Sequence, residues 1–132
     1  MALIYRLDAL PEPEQVIELY KLAGLPRPTD DPDRIRRMYE NSNLIVSAWD
    51  QDRLVGVARS ITDWAWSCYL ADLAVLPEYQ KSGVGKALIE LTKKQIGEES
   101  MLLLLSVPTA LEYYPKVGFV KQESSFIQHR SR

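Results

Sequence analysis

The chain has 132 residues, about the length of one domain on a prior of about 100–200 residues per domain, so residues 1–132 are expected to form a single unit. Its residues are 46% hydrophobic and 26% charged, ordinary globular chemistry that excludes a disordered chain. Sixteen Lys and Arg against 18 Asp and Glu leave a net charge of −2, so there is no basic field for nucleic acid. The lone cysteine, Cys68, excludes an internal disulfide and a Cys-cluster zinc site. The lone histidine, His129, lies in the tail, a poor place for a nucleophile–histidine pair or a His-based metal centre. No metal is expected. The N-terminal residues carry charges where a signal peptide needs an apolar run. The longest aliphatic run, Met101 to Leu105, is far short of the roughly 20 residues of a membrane helix. The expected location is the cytoplasm, with no membrane partner.

In chain order, Leu3 to Leu7 reads as a short strand. Glu14 to Leu22 has Val16, Ile17, Leu19 and Tyr20 at helical spacing and stops at Gly24. Leu25-Pro26-Arg27-Pro28-Thr29 is a loop. Asp31-Pro32 opens a second helix that runs to about Glu40. Leu44–Trp49 and Leu54–Arg59 read as an antiparallel hairpin. Cys68 to Leu76 is a third β segment, and Gly83 to Gly97 is the clearest helix. Met101 to Val107 reads as a strand covered on both faces. Ala110 to Val117 is a short helix, Gly118-Phe119-Val120 a last strand, and Phe126-Ile127 the start of its return. The order βααβββαβαβ implies an α+β (mixed α/β) sandwich around one central sheet.

The informative stretch runs from Asp72 to Leu88, where a strand ends, a turn follows and a helix opens on Gly83-Val84-Gly85. Backbone N–H groups at a helix start have no intrahelical partner, and with the helix dipole they form an anion site. Gly83 and Gly85 remove side chains from that site, while Lys81 and Lys86 add positive charge. This pattern predicts a phosphate or diphosphate binder. A triphosphatase phosphate loop would need Gly where Gln80 stands and Ser or Thr where Ala87 stands. A dinucleotide fingerprint would need a third glycine where Leu88 stands. The competing reading is a helix start whose glycines serve only its turn and its packing.

Gln80-Lys81-Ser82-Gly83-Val84-Gly85 matches the Gln/Arg-x-x-Gly-x-Gly/Ala pattern of the GNAT superfamily of N-acetyltransferases. Asp72 to Tyr79 resembles that family's strand before the cofactor loop, and Tyr113-Tyr114-Pro115-Lys116-Val117-Gly118-Phe119 resembles its Phe-Tyr-x-Lys-x-Gly-Phe segment. The likeness covers nearly the whole chain and suits a small, bacterial-type, single-domain member. It implies a mixed, mostly antiparallel sheet with a splayed strand pair, flanked by helices, and direct acetyl transfer from acetyl-CoA to a primary amine. It further implies that pantetheine pairs with backbone groups of Leu73, Ala74 and Val75 as an added strand. The pyrophosphate would sit on the amides from Gln80 through Lys86, a run that includes Lys81, Ser82, Gly83, Val84 and Gly85.

By the same resemblance, Tyr114 is the candidate general acid for the departing thiolate, with packing as its alternative role. Pro115 departs from the polar residue usual there, and the family motif puts an apolar aromatic where Tyr113 stands. Asp72 is the candidate base, directly or through a water, against a role in satisfying backbone near the bulge; Asp63 is a second candidate, and the alternative to both is an amine that loses its proton to water without a dedicated residue. Asp63, Trp64, Trp66 and Tyr69 are candidates for an acceptor pocket, against core packing or a dimer contact. Cys68 reads as a small buried residue. The short tail implies an acceptor site that is open or completed by a second subunit in a homodimer. The alternative function is a non-catalytic acyl-CoA-binding module; a nucleotide-binding regulator is more distant. The acceptor is a small-molecule or protein amine.

Overall fold

A computed structural model describes residues 2–132. The elements are β1 (Ile4–Arg6), α1 (Pro13–Ala23), α2 (Pro32–Glu40), β2 (Leu44–Asp50), β3 (Arg53–Thr62), β4 (Ser67–Val75), α3 (Val84–Ile96), β5 (Met101–Leu104) and α4 (Tyr113–Lys116). Single 3₁₀ turns lie at Pro77–Tyr79 and Pro108–Ala110. The sheet order is β1-β2-β3-β4-β5, antiparallel throughout except for the parallel pair β4–β5. This is the mixed, mostly antiparallel sheet flanked by helices that the family resemblance implies.

Local chemistry explains the helices. Pro13 and Pro32 sit in the first turns of α1 and α2, where a missing N–H removes no bond. The Asp31 carboxylate accepts the Arg34 N–H at 3.1 Å and caps α2. α3 buries Val84, Leu88, Ile89, Thr92 and Ile96 along one stripe. Its side chains meet the sheet beside Gly56, where an added Cβ would lie 3.1 Å from Leu88 and 3.2 Å from Val84. α1 and α2 bring Tyr20 and Tyr39 to the opposite face, against Arg59 and Asp72.

The β3–β4 ladder places Arg59 opposite Asp72 and Ser60 opposite Leu70, so Ala71 is the extra residue of a β-bulge. β4 pairs with β5 only from Ser67 to Leu70. Beyond the bulge the two strands part, and Ala71 to Val75 present an open edge. This is the expected splay.

Several elements differ from expectation. β3 extends to Thr62, beyond Arg59. β5 stops at Leu104, because β4 has already turned away and offers no further partner. Nor is β5 covered on both faces: it is an edge strand whose leucines are half-buried and whose Met101 is exposed. Among the described residues, no strand forms at Gly118–Val120 and no return at Phe126-Ile127, so the order ends on α4. Phe126 is 98% exposed, so nothing in the chain buries it against the sheet. Among the described residues, no helix is long and apolar enough to cross a membrane.

Candidate active site

The splay opens into a cleft of ≈ 520 Å³. One wall is the free edge of β4, from Leu70 to Val75. The α3 end is formed by Gln80, Lys81 and Gly85, and the opposite mouth by the α1–α2 loop, with Leu25 and Arg27. Tyr113 and Tyr114 close the side.

The edge of β4 carries its polar groups in alternation. The Leu76 N–H donates to Val55 O at 2.9 Å, which directs the even-numbered residues toward β3. Ala74 O accordingly lies toward Gly56. Leu73 and Val75 then face the cleft. Of the three residues expected to pair with an extended ligand, Leu73 and Val75 present backbone groups and Ala74 does not. The Gln80 side-chain amide donates to Val75 O at 3.0 Å. That bond ties the loop to the end of the strand, a role that the sequence did not disclose.

At the anion end, the run of amides is interrupted. The Gln80 N–H donates to Pro77 O and the Ser82 N–H to Tyr79 O, both at 3.2 Å. Those two amides close the turn and are withdrawn from the anion site. The N–H groups of Lys81, Gly83, Val84, Gly85 and Lys86 have no acceptor among the described residues. Gly83 has φ +81°, a left-handed conformation that lets the chain enter α3. A Cβ at Gly85 would lie 2.8 Å from the Tyr113 hydroxyl. Gly85 therefore preserves space between the helix start and a tyrosine. These unpaired amides, Lys81 and the bare Gly85 backbone fit a diphosphate.

The adjacent tyrosines divide the cleft. Tyr113 reaches the α3 end, over Gly85. Tyr114 lies close enough to Arg27 to feel its charge. The two rings meet edge to face at 5.2 Å, and Tyr114 packs likewise on Phe119 at 5.6 Å. Burial raises the Tyr114 phenol above its ordinary value, as does Tyr113, while Arg27 opposes them. Tyr114 is thus a protonated donor at neutral pH.

Asp72 does not face the cleft. Its side chain is fully buried on the α1–α2 face of the sheet. Oδ1 accepts from Arg27 Nε at 2.5 Å; Oδ2 accepts from Arg59 Nε at 2.6 Å and from the Tyr20 hydroxyl at 2.7 Å. Burial alone would raise this carboxyl, but the Arg59 hydrogen bond and the charges of Arg59 and Arg27 outweigh it and hold it low. A carboxylate so engaged is a poor base, and its expected catalytic role is withdrawn. It is the counter-ion of two arginines.

The acceptor-pocket expectation is corrected as well. Tyr69 lies in the closed end of β4, where pairing with β5 is intact, and Asp63, Trp64 and Trp66 lie in the β3–β4 turn beside that end. None of them lines the cleft. Asp63 Oδ1 accepts the N–H groups of Ala65, Trp66 and Ser67 at 2.8–3.0 Å, which organises the β3–β4 turn and lowers its pKa to about 2. Trp64 and Trp66 are 47% and 75% exposed there. Cys68 is buried, as expected.

The family model for the acetyltransferase (GNAT) domain matches residues 25–132, and the chain belongs to that family. It is 29% identical over 94 residues to the uncharacterized N-acetyltransferase ycf52 of Porphyra purpurea, covering 67% of this chain and 54% of that one. The chain thus spans about half the length of that curated relative. Its fold is shared by SA2161 from Staphylococcus aureus, with TM-score 0.83, 26% identity, and coverage of 97% of this chain and 100% of that one. The aminoglycoside N-acetyltransferase AAC(6')-Iy, solved in complex with CoA, shares the fold alone, at TM-score 0.73 and 15% identity over 99% and 96% of the chains.

Proposed function

We propose that this chain is an N-acetyltransferase that moves acetyl from acetyl-CoA directly to an amine bound in the same cleft. One observation carries the reading: the open β4 edge and the unpaired amides of Lys81 and Gly83 to Lys86 border one cleft. An extended chain with a diphosphate at one end matches that track. Leu73 and Val75 bind the extended part by backbone pairing. Lys81 and the α3 amides hold the anion. Acetyl-CoA supplies an acyl group on a thiol leaving group.

At the reacting centre, the acceptor nitrogen bonds to the acetyl carbon and the carbon–sulfur bond breaks. The nitrogen loses one proton and the sulfur gains one from the Tyr114 hydroxyl, which water re-protonates. No carboxylate lines the cleft, so the amine's proton leaves to solvent. Arg27, Arg59 and Asp72 together carry a net positive charge beside the bulge, which favours the neutral, nucleophilic amine.

The test is calorimetry with acetyl-CoA, followed by thiol release with a panel of amines. Binding with turnover is the expected result. Binding without turnover on any amine would make the chain a CoA-binding module, and no binding at millimolar concentration would remove the reading. Bound donor should also raise unfolding stability, by about 2.7 kcal/mol at a hundredfold excess over Kd.

Gly85→Ala should separate binding from folding. The new methyl lies in ordinary contact with Val75 and displaces only the hydroxyl end of the Tyr113 side chain, and alanine favours a helix by about 1 kcal/mol over glycine. The melting temperature should hold or rise. Crowding at the diphosphate costs about 1–3 kcal/mol, or roughly 5- to 150-fold in Kd. Unchanged calorimetric affinity in the folded variant would place the diphosphate elsewhere. Gly83→Val is a poorer probe, because its left-handed φ makes any side chain strained.

A further inference from the structure

The cleft has two ends of different chemistry. The α3 end, with its free amides and Lys81, suits the diphosphate. The acceptor must then enter at the other mouth, under the α1–α2 loop. There the lining is Ala23, Gly24, Leu25 and Arg27. The guanidinium is the charged group of this mouth, and no Asp or Glu lines any part of the cleft. A polycationic amine would find no counter-charge.

Arg27 is unusually well fixed for a loop residue. It stands between Pro26 and Pro28, which restrict the backbone on either side. Nε donates to Asp72 at 2.5 Å, Nη2 to Ala71 O at 2.8 Å and Nη1 to Pro26 O at 2.7 Å. Ala71 is the bulge residue, so Arg27 is joined to the point where the strands part. Each terminal nitrogen carries a second N–H with no partner among the described residues. A guanidinium with one N–H left on each terminal nitrogen can take an oxyanion through two bonds. Its side chain keeps 23% exposure at the mouth. Asp72 does not neutralise it, because Arg59 shares that carboxylate.

We propose that Arg27 selects the acceptor by charge: the substrate is a small amine that bears its own anionic oxyacid group, held by the unpaired Nη1 and Nη2 hydrogens. The oxyanion docks on Arg27 and aims the amine at the bulge. The apolar walls at Leu25 and Ala23 take a short aliphatic portion. This rests on the acetyl-transfer reading of the cleft.

The test uses matched pairs that differ in one anion: leucine against leucinamide and phosphoethanolamine against ethanolamine, with spermidine as the polycation. The carboxylate and phosphate arms identify the oxyacid. Thiol release from acetyl-CoA gives kcat/KM, and calorimetry on the CoA-saturated protein gives acceptor binding independently of turnover. The anionic member of at least one pair should lead by about 10- to 100-fold, the range of a charge-assisted contact, and spermidine should be the poorest. Arg27→Gln should bring that ratio toward one, and Arg27→Lys should restore part of it. A purely structural Arg27 would lower both members together and leave the ratio intact, which would overturn the proposal. Equal use of both members by the unaltered protein, or preference for spermidine, would overturn it too, and this holds even where Arg27→Gln fails to fold. If CoA binds but no amine is acetylated, the acetyl-transfer reading fails by itself. Preferential calorimetric binding of the anionic members would then still support Arg27, and its absence would overturn the proposal.

Discussion

Asp72→Asn should be the most destabilising single polar substitution in this chain. The carboxylate is fully buried and accepts from Arg27, Arg59 and Tyr20 at 2.5–2.7 Å. An amide of the same shape keeps the volume but removes the negative charge. Arg59, itself 7% exposed, is then left buried beside a second arginine without a counter-ion. Removing one partner of a buried pair costs about 3–5 kcal/mol, because the remaining charge is not resolvated. For a domain of this size that is a fall of roughly 10–20 °C in melting temperature. Thermal and urea unfolding read it directly. A loss below about 1 kcal/mol would mean that water reaches the cluster and that Asp72 is not its keystone.

The same residue fixes a pH dependence whose sign is determined. The folded carboxyl is held below its ordinary value, despite burial, by Arg59 and then Arg27. Its stabilisation is therefore complete above the unfolded pKa of about 3.9 and declines as pH falls through the lower, folded value. The gap in stability between the natural protein and Asp72→Asn should be level from about pH 5 to pH 8 and narrow below about pH 4. A gap that narrowed toward neutral pH instead would mean that the Asp72 carboxyl is raised by burial.

What could be read from the sequence was what is local. The start of α3 was legible because unpaired amides, a glycine at positive φ and a flanking lysine lie within a few residues of one another. The splay followed from resemblance, and its cause, the bulge at Ala71, has no signature in the residues themselves. Asp72 was misread because its partners are remote in sequence: Arg59 is 13 residues away, Arg27 45 and Tyr20 52. The tryptophans near the β3–β4 turn were placed in the site because they precede the cofactor strand. Distance along β4 decides otherwise: Tyr69 belongs to the paired end and Leu73 to the open one. Arg27 was passed over as part of a proline-rich loop. Its two flanking prolines were the available signal, since they restrict the backbone that carries the cation.

Tyr114→Phe should lower turnover by about a hundredfold and leave the affinity for acetyl-CoA nearly unchanged. The ring of Tyr114 packs edge to face on Tyr113 and Phe119, and phenylalanine retains both contacts. No hydrogen bond from its hydroxyl to the described residues competes with a ligand. Burial and Tyr113 raise its pKa, so the proton is present throughout the neutral range and the hydroxyl is a donor rather than a base. Arg27 acts in the opposite sense and stabilises the phenolate that remains after the proton has moved. Transfer to a departing thiolate is an interaction of the transition state, so its loss appears in kcat and not in binding. General acids contribute about 10²–10⁴-fold, and a thiolate that already leaves well places Tyr114 at the lower end. Steady-state kinetics with the best acceptor, together with calorimetry on acetyl-CoA, separates the outcomes. Turnover within a factor of about two would return Tyr114 to packing. A raised Michaelis constant for acetyl-CoA at constant turnover would make it a positioning residue. Because Tyr113 reaches the α3 end instead, Tyr113→Phe should do the reverse: weaken donor binding modestly and leave turnover at saturating acetyl-CoA unchanged.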